Sequence, residues 1–142
     1  MKRLLLWTSF GYAIAGMAGG VFYREFTRFM GGFSERTTLS FLHTHLFMLG
    51  MIVFLVAFLL DRHLHFSDHK LFWPFYGIYN AGLVVTVAGL LARGITQVQG
   101  AALSSGGEAA ISGVSGLGHI ALGTGIILLF IMLLKRAKRT AA

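Results

Sequence analysis

The sequence predicts an all-α integral membrane protein, a four-helix bundle with both termini in the cytoplasm. Three observations predict it. The chain is 56% hydrophobic with a mean hydropathy of +0.74. Only 12 Lys and Arg and 5 Asp and Glu stand among its 142 residues, too little charge to cover a soluble domain of this size. Those charges punctuate four long apolar runs instead of spreading evenly. The 19 glycines and single proline suit closely packed membrane helices.

The first run, about 4–23, begins MKRLLLWTSF. Its basic start and the small residues near Ala13 and Ala15 also suit a signal peptide, but it is read as a span. The second, 39–60, is LSFLHTHLFMLGMIVFLVAFLL, 22 residues without a charge. As a helix it reaches roughly 33 Å, enough to cross a bilayer. The third is about 71–95, with Pro74 in its first turn, where a missing N–H costs little. The fourth is about 110–134. Ser105 followed by Glu108 makes a capping-box pattern, so this helix is expected to start about a turn before its apolar part. Connections are short and no linker or repeat is visible, so one four-span domain over 1–142 is expected.

Lys2, Arg3, Arg62, Lys70, Lys135, Arg136, Lys138 and Arg139 fall on one side of the membrane; Arg24, Arg28, Arg36 and Arg93 fall on the other. The positive-inside rule then places both termini in the cytoplasm. The net charge of +7 is accounted for by this clustering at span ends, so no nucleic-acid partner is expected. Membrane lipid is the surrounding partner. Cysteine is absent, which removes disulfides, thiolate-bound zinc, iron–sulfur clusters and covalently attached c-type haem. Any cofactor must rely on histidine, methionine or oxygen donors.

Imidazoles are costly in lipid and face a partner or cofactor when they occur there. Counting from the charged ends of each span puts His45 about 5 Å, His43 about 8 Å and His119 about 4 Å to the outer side of the midplane. The three rings therefore share a layer in the outer half. On a regular helix His43 and His45 are about 200° apart, so they point to opposite faces and cannot chelate one ion together.

Haem b suits such a layer, since its iron accepts neutral imidazoles, its plane needs apolar or small neighbours, and its propionates need cations. His43, His45 and His119 are the candidate iron ligands. Arg24, Arg28, Arg36 and Arg93 are candidate propionate partners at the outer ends. Gly116 and Gly123, one turn either side of His119, would leave a flat slot, although tight helix packing explains such glycines equally well. Tyr12, Phe41, Phe47 and Phe54 are candidate walls, and Met17 lies at a similar depth as a candidate methionine ligand or a packing residue. His63, His65 and His69 in the cytoplasmic turn read as solvated residues.

The stretch HTHLFMLGM, 43–51, resembles the H-x-H-x-x-x-x-G pattern in helices of haem-copper oxidase and nitric oxide reductase catalytic subunits. It also resembles an uncharacterised family of small bacterial four-span membrane proteins. In the large subunits the two histidines of such a helix serve different haems, and the second helix of each group of four supplies metal ligands. The resemblance implies a homo-oligomer, a trimer or dimer, with haems between second helices of adjacent subunits in a bacterial inner membrane. A recognisable copper-site histidine pair and a tyrosine placed to cross-link to histidine are both missing, so proton-pumping oxygen reduction is not implied. Two ligation schemes stay open. His119 could pair with His43 or His45 inside one subunit, or His43 and His45 could pair across neighbours. The expected role is electron transfer with a respiratory redox partner, or binding of NO or O2. A structural or assembly role and a copper site are the alternatives. A proton-coupled transporter is disfavoured, because Glu25, Glu35, Asp61, Asp68 and Glu108 all lie near span ends.

Overall fold

The structure is a computed structural model that describes residues 2–31 and 36–140; Glu35 and the side chains of Lys2 and Arg139 lie outside the described residues. Four helices, each long and apolar enough to cross a membrane, follow one another, and no strand occurs among the described residues. They are α1 (Lys2–Phe29), α2 (Thr38–Leu64), α3 (Phe72–Val98) and α4 (Ser105–Thr140). Each rod runs past its apolar stretch, because the backbone ladder continues into the polar flanks at no extra cost in water. The start of α4 is capped one residue earlier than the sequence pattern suggests. Ser104 Oγ, not Ser105, accepts from Gly107 N–H at 3.2 Å.

Two hairpins build the bundle. α1 packs along α2, and α3 packs along α4. Glycine makes the second pairing close: a Cβ on Gly82 would lie 2.7 Å from the Leu122 nitrogen, so backbone meets backbone. The hairpins join through an aromatic core at the end carrying the termini. Phe54 of α2 and Phe72, Phe75 and Tyr79 of α3 are fully buried, and Tyr12 of α1 stacks on Phe54 at 5.8 Å. At the opposite end α2 is pinned to α3. Gln97 Oε1 accepts from Thr38 N–H at 2.8 Å, Thr38 Oγ1 donates to the Leu90 carbonyl at 3.0 Å, and Leu39 lies against Gly94.

α2 is not a uniform α-helix. It opens with a tight 3-10 turn, Thr38–Phe41, continues as α over Leu42–His45, widens into a π-helix over Leu46–Ile52, and returns to α over Val53–Leu64. A widened turn loosens carbonyls from the regular ladder, and a carbonyl in lipid must find another donor. Both flanking helices supply one. Ser9 Oγ donates to the Met51 carbonyl at 2.8 Å and Tyr79 Oη to the Leu49 carbonyl at 2.8 Å. Inter-helix bonds of this kind contribute about 0.6–2 kcal/mol each. Tyr12 Oη donates to Asn80 Oδ1 at 2.7 Å, and Thr8 and Tyr76 share a hydroxyl pair at 2.8 Å, so α1 is tied to α3 as well.

The α2–α3 turn is closed by Asp61. Its fully buried carboxylate accepts from Ser67 N–H at 2.7 Å and Ser67 Oγ at 2.8 Å, while His65 ends the helix in the left-handed region at φ 51°.

Gly50 is the tightest point of the π-segment, since a Cβ there would lie 2.5 Å from Tyr12 Cγ. Gly50→Ala is therefore expected to destabilise the bundle by about 1–3 kcal/mol. Gly113→Ala, where nothing lies within 4 Å, should leave it unchanged or slightly more stable. Unfolding in mixed micelles by denaturing detergent measures both.

Candidate functional site

The 3-10 turn and the Gln97 pin set the rotation of α2 about its axis, and with it the directions of its two histidines. They leave by opposite faces. His43 turns toward α1, where its Cβ is the nearest atom to the open flank of Gly20 and its ring stands edge-on to Phe47 at 6.5 Å. Its Nδ1 is buried without a hydrogen-bond partner.

His45 turns the other way, toward α4. Its ring and that of His119 stand perpendicular, 87° between planes, with centroids 6.4 Å apart. The two imidazoles share one level and come from different hairpins. Along this level α2 and α4 are not packed tightly; α2 meets α4 mainly through Val53–Leu64, nearer the termini. The histidine pair thus bridges α2 and α4 at the surface of the bundle, with His45 half-buried and His119 exposed.

Backbone carbonyls hold both rings the same way. His45 Nδ1 lies 2.8 Å from the Phe41 carbonyl and His119 Nδ1 lies 2.8 Å from the Ser115 carbonyl, each four residues back on its own helix. A carbonyl oxygen only accepts, so each Nδ1 must carry the proton. In a neutral ring that leaves Nε2 with a bare lone pair, the tautomer found in metal-binding histidines whose other nitrogen is anchored to the backbone. Two imidazoles gripping one ion from opposite sides have ring centres roughly 6 Å apart, twice the sum of a metal–nitrogen bond of about 2.0–2.1 Å and the reach from nitrogen to ring centre.

On α4, Ser112, Gly116, His119 and Gly123 recur at spacings of four, three and four, so they share a face. A Cβ on Gly116 or Gly123 would meet nothing within 4 Å, so the surface beside His119 is flat and open. Arg93 of α3 reaches this face. Its guanidinium donates to Ser112 Oγ at 2.6 Å, and Ser112 Oγ donates to the Glu108 carbonyl at 2.8 Å.

The remaining sequence candidates are not drawn to this place. Arg24 is exposed and lies 3.6 Å from Glu25, its neighbour in the chain; Arg28 and Arg36 are exposed at the same end. Met17 is exposed on α1. Tyr12 and Phe54, considered as walls, belong to the aromatic core, whereas Phe41 is exposed beside His45 through its carbonyl. His63 and His65 are exposed, and among the described residues no group of three His, Cys, Asp or Glu could hold a metal ion.

Sequence reasoning missed the π-segment and its donors Ser9 and Tyr79. The one signal for it was Gly50, an unexplained glycine inside an apolar run.

Fold and site together define a multi-pass helical membrane protein with a histidine pair between its hairpins. The chain belongs to the family described as Protein of unknown function (DUF2871), whose model matches residues 1–136. No curated protein and no solved structure matches it.

Nitrogen NMR of histidine-labelled protein, at a pH high enough to make every imidazole neutral, will show His45 and His119 with the proton on Nδ1. Ser115 and Phe41 contribute only carbonyls, so Ser115→Ala should leave these signals in place.

Proposed function

We propose that this protein is a membrane b-type haem protein in which His45 of α2 and His119 of α4 would hold the iron. The observation that carries the reading is the histidine pair itself: perpendicular rings 6.4 Å apart, each tied by Nδ1 to a carbonyl and presenting Nε2. The donor set fits haem, being two imidazoles that no third His, Cys, Asp or Glu joins into a metal-holding group among the described residues, flanked by the open surface of Gly116 and Gly123. When bound, a haem held by two histidines would supply reversible one-electron chemistry, so electron transfer is the role this ligand pair favours over NO or O2 binding.

The chain's own residues have separable tasks. The Phe41 and Ser115 carbonyls orient the rings and fix their tautomer. Gly116 and Gly123 keep the slot clear of side chains. Arg93, held to the His119-bearing face by Ser112, is the cation best placed to receive a propionate; Arg24, Arg28 and Arg36 remain at the same end as weaker candidates. His43 turns to α1 and so stands outside this pair. The resemblance to haem-copper oxidase helices would use it toward a neighbouring subunit. A homotrimer or homodimer built that way, with cytoplasmic termini in a bacterial inner membrane and a respiratory redox partner, is compatible with the intrachain pair.

One observation favours a second reading, a single cuprous ion. No third donor joins the two histidines among the described residues, and a linear pair of imidazoles satisfies copper without one.

Purified protein expressed with ample haem should show a Soret band and reducible alpha and beta bands, with one haem per chain. His45→Ala and His119→Ala should each abolish it, and His43→Ala should retain it. Arg93→Gln should weaken haem retention roughly tenfold, the scale on which outer partners of a metal site act. Colourless protein that stays colourless after adding hemin rejects the haem reading, and copper at one ion per chain in that sample supports the second.

A further inference from the structure

The end of the bundle that carries the termini has two cavities sharing one residue. One, about 490 Å3, is lined by Arg3 and Leu6 of α1 and by Phe58 and Arg62 of α2. The other, about 370 Å3, is lined by Leu6, Trp7 and Phe10 of α1. Leu6 lines both, so they adjoin along α1, and the pair is called the groove.

Its walls are ordered by polarity. Residues 3, 6, 7 and 10 occupy a single face of α1, with the cation at the helix end and three large apolar side chains following toward the bilayer interior. Phe58 and Arg62 repeat the order on α2, the cation outermost and the ring one turn deeper. Trp7 is 66% exposed and Phe10 54%, so the deep part opens sideways to lipid. No carboxylate pairs with either guanidinium among the described residues, and the adjacent Asp61 is occupied by Ser67.

We propose that this groove binds one anionic phospholipid, with its phosphate between Arg3 and Arg62 and an acyl chain along Leu6, Trp7 and Phe10. Guanidinium groups suit phosphate because they can donate two parallel hydrogen bonds. Inorganic phosphate would satisfy the cations and leave the apolar half uncovered. A zwitterionic lipid would fill the apolar half and bring its own ammonium toward two unpaired arginines. An anionic amphiphile answers both halves at once. The site is independent of the histidine pair, which lies in the other half of the bundle, closer to its middle.

Trp7 is a built-in reporter, because the chain has only two tryptophans. In the full-length Trp73→Phe protein, Trp7 is the sole source of tryptophan emission. Reconstitution is made into phosphatidylcholine vesicles containing phosphatidylglycerol, with bromine carried at equal mole fraction either by the phosphatidylglycerol or by an equivalent part of the phosphatidylcholine. Brominated phosphatidylglycerol is expected to quench Trp7 roughly twofold more strongly, a modest preference for two cations facing an anionic headgroup. Arg3→Gln with Arg62→Gln should equalise the two labels, and Arg3→Lys with Arg62→Lys should keep most of the preference. Arg62→Glu alone should also remove it, which leaves a readable result if the double variant does not reconstitute. Equal quenching in the parent, or a preference that survives in the glutamine or glutamate variants, overturns the proposal. Loss of the preference on adding inorganic phosphate at constant ionic strength overturns it too, by assigning the arginines to a free anion.

Discussion

The requirement that a backbone carbonyl inside a membrane must find a donor governs this structure. Water is absent there, so a turn that departs from the α ladder is tolerated only where side chains complete it. The π-segment of α2 is such a turn. Ser9 and Tyr79 complete it from opposite sides, and Gly50 lets Tyr12 close against it. These contacts fasten α1, α2 and α3 around one point, just beyond the turn that bears His43 and His45. The directions of the two rings therefore depend on residues that never touch them.

Much of the architecture was legible in the sequence because bilayer thickness is a coarse ruler. Charges such as Arg24, Asp61 and Glu108 delimit runs that can only be spans, and the class follows. The opposite facing of His43 and His45 was legible too, since two residues of helix rotation is a local property. Which ring meets which neighbour was not. That depends on the rotation of α2, set by Gln97 holding Thr38 from 59 residues away and by a π-segment written in ordinary leucine, phenylalanine and methionine. Likewise, nothing local separates Arg93, tied to the His119-bearing helix, from Arg24, paired with its neighbour. Depth along α1 also says nothing of the face a residue takes, and Met17 is exposed.

The division of labour between the two ends follows from packing. Large buried rings fill the end with the termini, where Phe54, Phe72, Phe75 and Tyr79 make the bundle solid. The other end is built from threonine, glycine and glutamine contacts that pin α2 to α3. A dense end supplies rigidity, and the histidine pair lies where the contact between α2 and α4 is sparse.

One consequence concerns biogenesis. His45 and His119 belong to different hairpins, and each hairpin has its own close-fitting interface, so neither half can form the pair by itself. Insertion of the two halves must precede their docking, and the histidines meet only when docking is complete. If both rings hold a ligand as proposed, it would be a rivet between halves, adding its binding free energy to the assembled state alone. Loading would then proofread assembly, marking bundles whose halves have docked and leaving loose ones exposed to quality-control proteolysis.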